Sequence, residues 1–455
     1  MSTDPCHATI RVLESQRAFF ARGETRPIAM RRAALKRLEQ ALQARQGELL
    51  DALAADLGKP EIEAFLSEYH FLLEELRLMR RSLGRWLKPR RAGNPFYFLP
   101  CRSRVVREPY GSALVISPWN YPVQLALSPL AAAVAAGNTV VLKPSELAPA
   151  SGRFLADLVC QCFPPEHATV VTGGPEIAGE LLGLPVDFIF FTGSTEVGRI
   201  VARKAAERLT PCVLELGGKC PCVVDDTADL PATARRILAG QHVNAGQTCF
   251  APDFVAAHTG IKDRLVHELA DLLERLPWED EMARIVNERH FRRLQAFTGG
   301  KEISKGRDRE AAQHLAPRIL PETRWDDPVM RGEVFGPILP VLGFSDDDEL
   351  IARLRSLPSP LALYCFSRND AFCRHLLERV PSGSVCINDV MKQATNLALP
   401  FGGLGPSGHG RYRGRAGFES FSHERAVSHR YFTRDPFELL PPRAKRAAFL
   451  RKWLR

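Results

Sequence analysis

From Tyr110 onward the chain alternates short apolar runs with stretches of helical length, and this alternation restricts the fold more than any other feature. Ala113 to Ile116, Thr139 to Leu142, Thr169 to Val171, Phe188 to Phe191 and Val213 to Leu216 read as buried strands. Leu125 to Ala136, Gly152 to Phe163 and Val197 to Leu209 lie between them with helical length and composition. Strands buried on both faces and joined through helices pair in parallel, because a parallel connection needs a crossover. The predicted class is therefore α/β. A second α/β section begins near Pro221, with Cys222 to Val224 as a strand and Ala232 to Val243 as a helix, and further units run to about Asn388. Upstream, Leu35, Leu38, Leu42, Leu49 and Leu53 recur on a helical period that Gly58 and Pro60 stop, which predicts a helical N-terminal layer.

The polar and Gly-rich clusters each follow a predicted strand: Pro118 to Pro122, Lys143 to Glu146, Gly173-Gly174, Gly193 to Gly198, and Glu215 to Lys219. In an open parallel sheet these loops meet at the carboxyl edge, where ligands bind, so a nucleotide-type site is expected there. The segment from Trp86 to Arg107 is rich in Arg, Pro and aromatics. It fits a protruding or bridging segment that packs on another subunit better than a core element.

Composition narrows the class further. A chain of 455 residues with 45% hydrophobic and 25% charged residues is a globular protein with a deep core, not a disordered or collagen-like one. The net charge of +9 is spread over Arg31, Arg32, Lys36 and Arg37 and over Arg443 to Arg455, with no aromatic nucleic-acid motif, so no nucleic-acid partner is expected. Eleven cysteines, an odd number without a CxxC pair or finger spacing, point to a reducing cytoplasm and to no metal site. Met1-Ser2-Thr3-Asp4 opens without a secretory pattern, and the most apolar stretch, Leu125 to Ala136, is too short to span a bilayer.

Several residues carry candidate chemistry beside a structural alternative. Cys249 ends Gly246-Gln247-Thr248-Cys249 in a polar loop, where exposure and electropositive surroundings would lower a thiol from its usual value of about 8.5. The other ten cysteines read as small core residues. Glu215, at an apolar strand end before two glycines, is either paired structurally, with Lys219 as one partner, or is a general base raised by partial burial. Asn120 is either a turn former between prolines or an amide donor to an oxyanion. Gly193 and Gly198 are spaced too widely for a GxGxxG fingerprint, yet Ser194 and the following helix N-terminus can offer a hydroxyl and free N–H groups to a pyrophosphate. Glu333 in Gly332 to Pro337 could simply cap a strand, and the glycines in Leu399 to Gly405 could simply permit tight turns. A thiol with a separate carboxylate suits thioester chemistry: one attacks a carbonyl, the other activates the releasing water.

Together these strings resemble the aldehyde dehydrogenase superfamily over nearly the whole chain. The Tyr in Pro118-Trp119-Asn120-Tyr121-Pro122, the length and the short N-terminal arm resemble its class 3 branch. The resemblance implies a Rossmann-type parallel-sheet cofactor domain (1–88 and 110–216), an α/β catalytic domain (217–400), and small bridging or oligomerisation segments (89–109 and 401–455). It implies that Cys249 is the nucleophile, that Asn120 and the Cys249 N–H hold the oxyanion, and that Glu215 activates water. Hydride would pass to NAD, with NADP possible. Lys143 and Glu146 would lie at the adenosine ribose, Ser194 with Gly193 and Gly198 at the pyrophosphate, and Trp119, Glu333 and Phe335 around the nicotinamide. Glu146 should bind a ribose hydroxyl and repel a 2′-phosphate, which favours NAD.

The pattern departs from the family at Gly332, Cys220, Pro406 and Lys392-Gln393, and around Leu276 to Glu281, where the chain looks shortened. Substrates implied are medium-chain aliphatic or aromatic aldehydes, and a homodimer is expected. Two other functions compete. An acylating relative would pass the thioester to coenzyme A, although Glu215 would then be wasteful. A non-catalytic relative would rest on anionic lipid through Phe449, Leu450, Trp453 and Leu454 beside Arg451, Lys452 and Arg455.

Overall fold

A computed structural model of the chain describes residues 5–275, 277, 281–298, 301–433, 447 and 451. The amphipathic tail singled out above lies, apart from Arg451, outside the described residues, as does most of the segment from Leu276 to Glu281.

Among the described residues the strands form three sheets. The first has six strands in the order Gly408–His409, Cys212–Leu216, Phe188–Gly193, Ser112–Ile116, Thr139–Lys143, Ala168–Val170. All pair in parallel except the short edge strand Gly408–His409. The chain starts in the centre, grows to one side through Thr139–Lys143 and Ala168–Val170, then returns to add Phe188–Gly193 on the other flank. That reversal is a topological switch point, with a crevice outside the carboxyl ends of the strands. Every residue of Ser112–Ile116 and Thr139–Lys143 is buried, as two-sided coverage requires.

The second sheet has seven strands, in the order Ile303–Ser304, Arg318–Leu320, Ile338–Phe344, Phe254–His258, Pro221–Val224, Ala362–Phe366, Ser384–Ile387. All its pairs are parallel except the first. The third is antiparallel: Cys101–Pro109 lies between Arg90–Ala92 and Ser422–Arg430. The bridging segment is thus a hairpin completed by a distant strand, with Phe96, Phe98 and Leu99 left exposed at its tip. Among the described residues from 401 onward, only Ser422–Arg430 joins this sheet. Gly408–His409 pairs with Leu214 and Glu215, which brings the preceding glycine loop to the cofactor sheet instead.

The helical layer predicted from the leucine period includes two helices, Ile28–Ala44 and Gln46–Leu57, separated at Arg45 with φ −112°. The leucines keep their period through the break, and Leu35, Leu38, Leu42, Leu49 and Leu53 are all buried. Gly58 stops the second helix in the left-handed region at φ 58°. The helix Gln124–Ala136 is buried along its whole length. Its one polar hydroxyl, Ser128, donates to the buried Glu75 carboxylate, which also accepts from the Gly414 N–H at 2.8 Å.

Candidate active site

The cofactor-sheet strands end in register, so their following residues share one edge. Ile116 stands opposite Lys143 and Phe191, and Gly193 opposite Leu216. Lys143 is buried and donates to Glu146 Oε2 at 2.8 Å. Glu146 is a little over one-third exposed; burial pushes its carboxyl up, but the hydrogen bond from Lys143 and backbone contacts hold it below the ordinary value. Ser194 caps the helix Thr195–Glu207 by accepting from the Val197 N–H at 3.3 Å. A side chain at Gly193 would strike the Phe191 ring, and one at Gly198 would strike Leu216, so the turn and helix start stay close to the strand.

The cysteine loop is held from several elements. Beyond the helix Leu230–His242, Asn244, Ala245 and Gly246 are successive left-handed residues, with φ 55°, 52° and 72°. For Ala245 this conformation is strained, by about 1–3 kcal/mol, and persists only if its neighbours enforce it. They do. Gln247 donates to the carbonyls of Asn244 (3.0 Å) and Arg284 (2.9 Å) and accepts from the Val286 N–H (3.0 Å). Asn120, on the loop after the strand Ser112–Ile116, donates its side-chain amide to the Gln247 carbonyl at 3.0 Å. An amide has two N–H bonds, so this anchor leaves one donor beside the adjoining Thr248-Cys249 segment.

Cys249 is partly exposed. Its surroundings contradict the expectation of a lowered thiol pKa: burial of the sulfur, then the Glu333 and Glu215 carboxylates, push it well above the usual value, against a smaller opposing pull from Arg413. The polar sequence context conveyed nothing of two carboxylates arriving from other elements. Glu215 is buried, and neither carboxylate oxygen has a hydrogen-bond partner. Desolvation raises its pKa well above the ordinary carboxyl value, offset in part by Arg413 and Arg411. It is not paired with Lys219. That lysine donates to Asp253 Oδ2 at 2.6 Å and to the carbonyls of Val329 and Gly332.

Glu333 packs against Gly217, where any side chain would collide with its carboxylate. Burial and then Asp253 raise it to about 8, against the Gly218 N–H, Lys219 and Arg293. Its loop is pinned by Arg293, which donates to the carbonyls of Glu333 (3.3 Å) and Val334 (2.6 Å), and by Asp253, which accepts from the Val334 N–H at 2.8 Å. Phe335, at φ 52°, meets the edge of Trp119 with ring centroids 5.5 Å apart.

The predicted residues thus fall into two groups along one crevice: Lys143, Glu146, Gly193, Ser194 and Gly198 on the sheet edge, and Asn120, Glu215, Cys249 and Glu333, with Trp119 and Phe335, where the two parallel sheets meet. Sequence reasoning missed Asp253, Arg293 and Arg413, whose roles arise from contacts with no local pattern. Arg413 is buried, its guanidinium 4.5, 4.6 and 5.7 Å from the rings of Phe71, Tyr412 and Phe401. The departures are accommodated without touching the thiol: Gly332 supplies a carbonyl to Lys219, Pro406 one to Thr195, and Gln393 lies 3.4 Å from the Tyr364 hydroxyl. Cys220 is buried, with its Sγ 3.5 Å from the Cys249 carbonyl. Among the described residues no group of three or more His, Cys, Asp or Glu side chains is placed to hold a metal.

The crevice also fits a dinucleotide. Buried polar atoms without partners gather at its wall: Ser117 Oγ, Thr192 Oγ1 and Glu333 Oε1. On the helix after Ser194, Val197 and Ile200 are exposed one turn apart, an apolar surface suited to a flat base.

A partly exposed cysteine between the buried Glu215 carboxylate and the partly exposed Glu333 carboxylate, beside a dinucleotide-type sheet edge, is the arrangement of an oxidoreductase site. Residues 8–427 match the Aldehyde dehydrogenase family, and the chain belongs to that family. It is 38% identical over 418 residues to 4,4'-diaponeurosporen-aldehyde dehydrogenase of Staphylococcus aureus, covering 90% of this chain and 91% of the relative. It is 41% identical over 429 residues to human aldehyde dehydrogenase family 3 member B1, covering 93% and 91%. The solved structure described as the substrate-bound state of Staphylococcus aureus AldH superposes with a TM-score of 0.95 at 36% identity, covering 98% of this chain and 99% of that one. An indole-3-acetaldehyde dehydrogenase in complex with NAD+ superposes at 0.85 with 26% identity, covering 94% and 90%. The protein is a class 3-like enzyme that oxidises aldehydes to carboxylic acids with NAD(P)+.

Proposed function

We propose that Cys249 is the nucleophile, Asn120 the oxyanion donor and Glu215 the hydrolytic base of this oxidation. The observation that carries the assignment is the convergence on one partly exposed sulfur of a buried carboxylate without hydrogen-bond partners and an amide tied to the neighbouring carbonyl. The Cys249 thiol gives its proton to water, the thiolate sulfur bonds to the aldehyde carbon, and the carbonyl oxygen becomes an oxyanion facing the free Asn120 N–H and the Cys249 backbone N–H. When bound, the oxidised dinucleotide supplies the two-electron acceptor that takes the former aldehyde hydrogen as hydride, and a positive charge that favours the thiolate. Glu215 then removes a proton from water as that water attacks the thioester carbon; the carbon–sulfur bond breaks and the acid leaves. Burial raises its pKa above the ordinary carboxyl value, which makes Glu215 a stronger base toward that water.

Lys143 and Glu146 would hold the adenosine ribose, Ser194 between Gly193 and Gly198 the pyrophosphate, and Trp119, Glu333 and Phe335 the nicotinamide end. The Glu146 carboxylate favours NAD over NADP. Aromatic rings near the thiol, Phe250 against Phe401 at 5.3 Å and Phe401 against Tyr412 at 5.7 Å, support medium-chain aliphatic or aromatic aldehydes as substrates. The exposed Phe96, Phe98 and Leu99 and the outer strand Ser422–Arg430 support a homodimer. Ten described cysteines are free, which accords with a cytoplasmic setting. Among the described residues no helix is long and apolar enough to cross a membrane. The test is reduced-dinucleotide absorbance with hexanal. Wild-type protein should produce it and Cys249→Ala should not; full turnover by the variant rejects the assignment. Sedimentation equilibrium should return twice the chain mass.

A further inference from the structure

A second buried constellation lies behind the loop carrying Asn120, and the proposed mechanism does not use it. Lys59, with a side chain wholly removed from solvent, donates to Glu68 Oε1 at 2.5 Å and to the Asn120 backbone carbonyl at 3.1 Å, and its ammonium sits 4.1 Å from the centre of the Tyr121 ring. The same carbonyl accepts from Asn244 Nδ2 at 2.8 Å. Glu68 uses its other oxygen to accept from the N–H groups of Val123 (2.9 Å) and Gln124 (3.2 Å), and Glu63 accepts from the Asn244 N–H at 2.8 Å. The Tyr121 hydroxyl meets Thr248 Oγ1 at 2.7 Å, one residue before the thiol.

The local backbone explains how two carboxylates serve one loop. Residues five apart diverge around an α-helix. Here the helix Glu61–Ala64 opens into a π turn over Phe65–His70 before resuming at Phe71. Its i→i+5 bonding brings Glu63 and Glu68 toward one side, and such turns recur at functional sites. A buried ion pair is weak evidence of stabilisation in itself, because desolvation offsets much of its attraction. In this one the lysine's only peptide partner among the described residues is the carbonyl of the oxyanion donor, while Glu68 holds the N–H groups of Val123 and Gln124 on the same loop.

We propose that Lys59, held by Glu68, is a positioning residue for Asn120: through the Asn120 carbonyl it fixes the amide that receives the developing oxyanion. The inference rests on the assignment of Asn120 above and deepens it. Lys59 touches neither substrate nor cofactor, so its effect must pass through Asn120.

The experiment compares Lys59→Met in the wild-type and Asn120→Ala backgrounds, with hexanal and NAD+ as the probes. Complete loss of an oxyanion donor costs about 10²–10³ in kcat, so a loosened one should cost roughly tenfold or more. The aldehyde KM should stay within about twofold, and in the Asn120→Ala background the added loss should shrink below about twofold. Iodoacetamide labelling of Cys249 should keep its wild-type rate. Equal fold-losses in both backgrounds, no loss in either, or labelling that falls together with kcat would overturn the positioning role. Should Lys59→Met fail to fold, Glu68→Gln carries the same comparison. If Asn120→Ala alone leaves kcat unchanged, the oxyanion assignment itself is rejected, an outcome distinct from additivity.

Discussion

Glu333 offers the sharpest prediction because its ionisation is tied to burial and can be removed by an isosteric change. Its carboxyl is raised to about 8, by desolvation first and by Asp253 second. An acid whose folded pKa exceeds its unfolded value binds its proton more tightly when folded. Its stabilising contribution is therefore complete below about pH 4.5, declines as pH rises, and is lost above about pH 8. A rise of this size corresponds to at most about 5 kcal/mol. Glu333 is partly exposed, and screening leaves roughly 2–3 kcal/mol. In Glu333→Gln the neutral amide keeps the shape and loses the titration. Scanning calorimetry of both proteins at pH 5 and pH 9 should find similar midpoints at pH 5, and a variant more stable by about 2–3 °C at pH 9, given the entropy of unfolding for a chain of this length. Groups titrating in both proteins cancel in the difference. An identical gap at the two pH values would refute the reasoning, since the carboxyl would then not change state across the interval.

Three further outcomes follow from the same geometry. Gly246→Ala places a methyl group against the Gly336 carbonyl at a position with φ 72°, so it should cost about 3 kcal/mol or more and lower both thermal midpoint and labelling of Cys249; a wild-type midpoint would contradict the loop description. Glu146→Gln removes the charge that opposes a 2′-phosphate, so the kcat/KM ratio for NADP+ over NAD+ should rise about tenfold; an unchanged ratio would mean that Glu146 does not face the ribose. Glu215→Gln should preserve a first-turnover burst of reduced dinucleotide while steady-state turnover drops by about 10²–10⁴; loss of the burst with the turnover would move Glu215 to the earlier step.

The sheet was legible because fully buried parallel strands write themselves as continuous apolar runs, and five such runs fell within a residue or two of the observed strands. The loops at the sheet's carboxyl edge were legible for the same reason: once the strands are placed, Lys143, Ser194 and Glu215 must share that edge. Contacts between distant segments were not. Nothing near Lys219 indicates that its carboxylate partner is Asp253 rather than Glu215, because the partner arrives on the loop before the strand Phe254–His258. The thiol at Cys249 is likewise raised by burial first and then by Glu333 and Glu215, so the local Gly-Gln-Thr context suggested the wrong sign. The π turn carrying Glu68 is invisible to helical periodicity, since one widened turn shifts the apolar face without ending it.

The most direct test of the account is to trap the covalent intermediate. Glu215→Gln, mixed with hexanal and NAD+, quenched in acid and digested, should yield the peptide containing Cys249 heavier by one hexanoyl group, with one reduced dinucleotide formed per trapped acyl group. An acyl group on any other residue, or reduced dinucleotide released without acylation of Cys249, would contradict it.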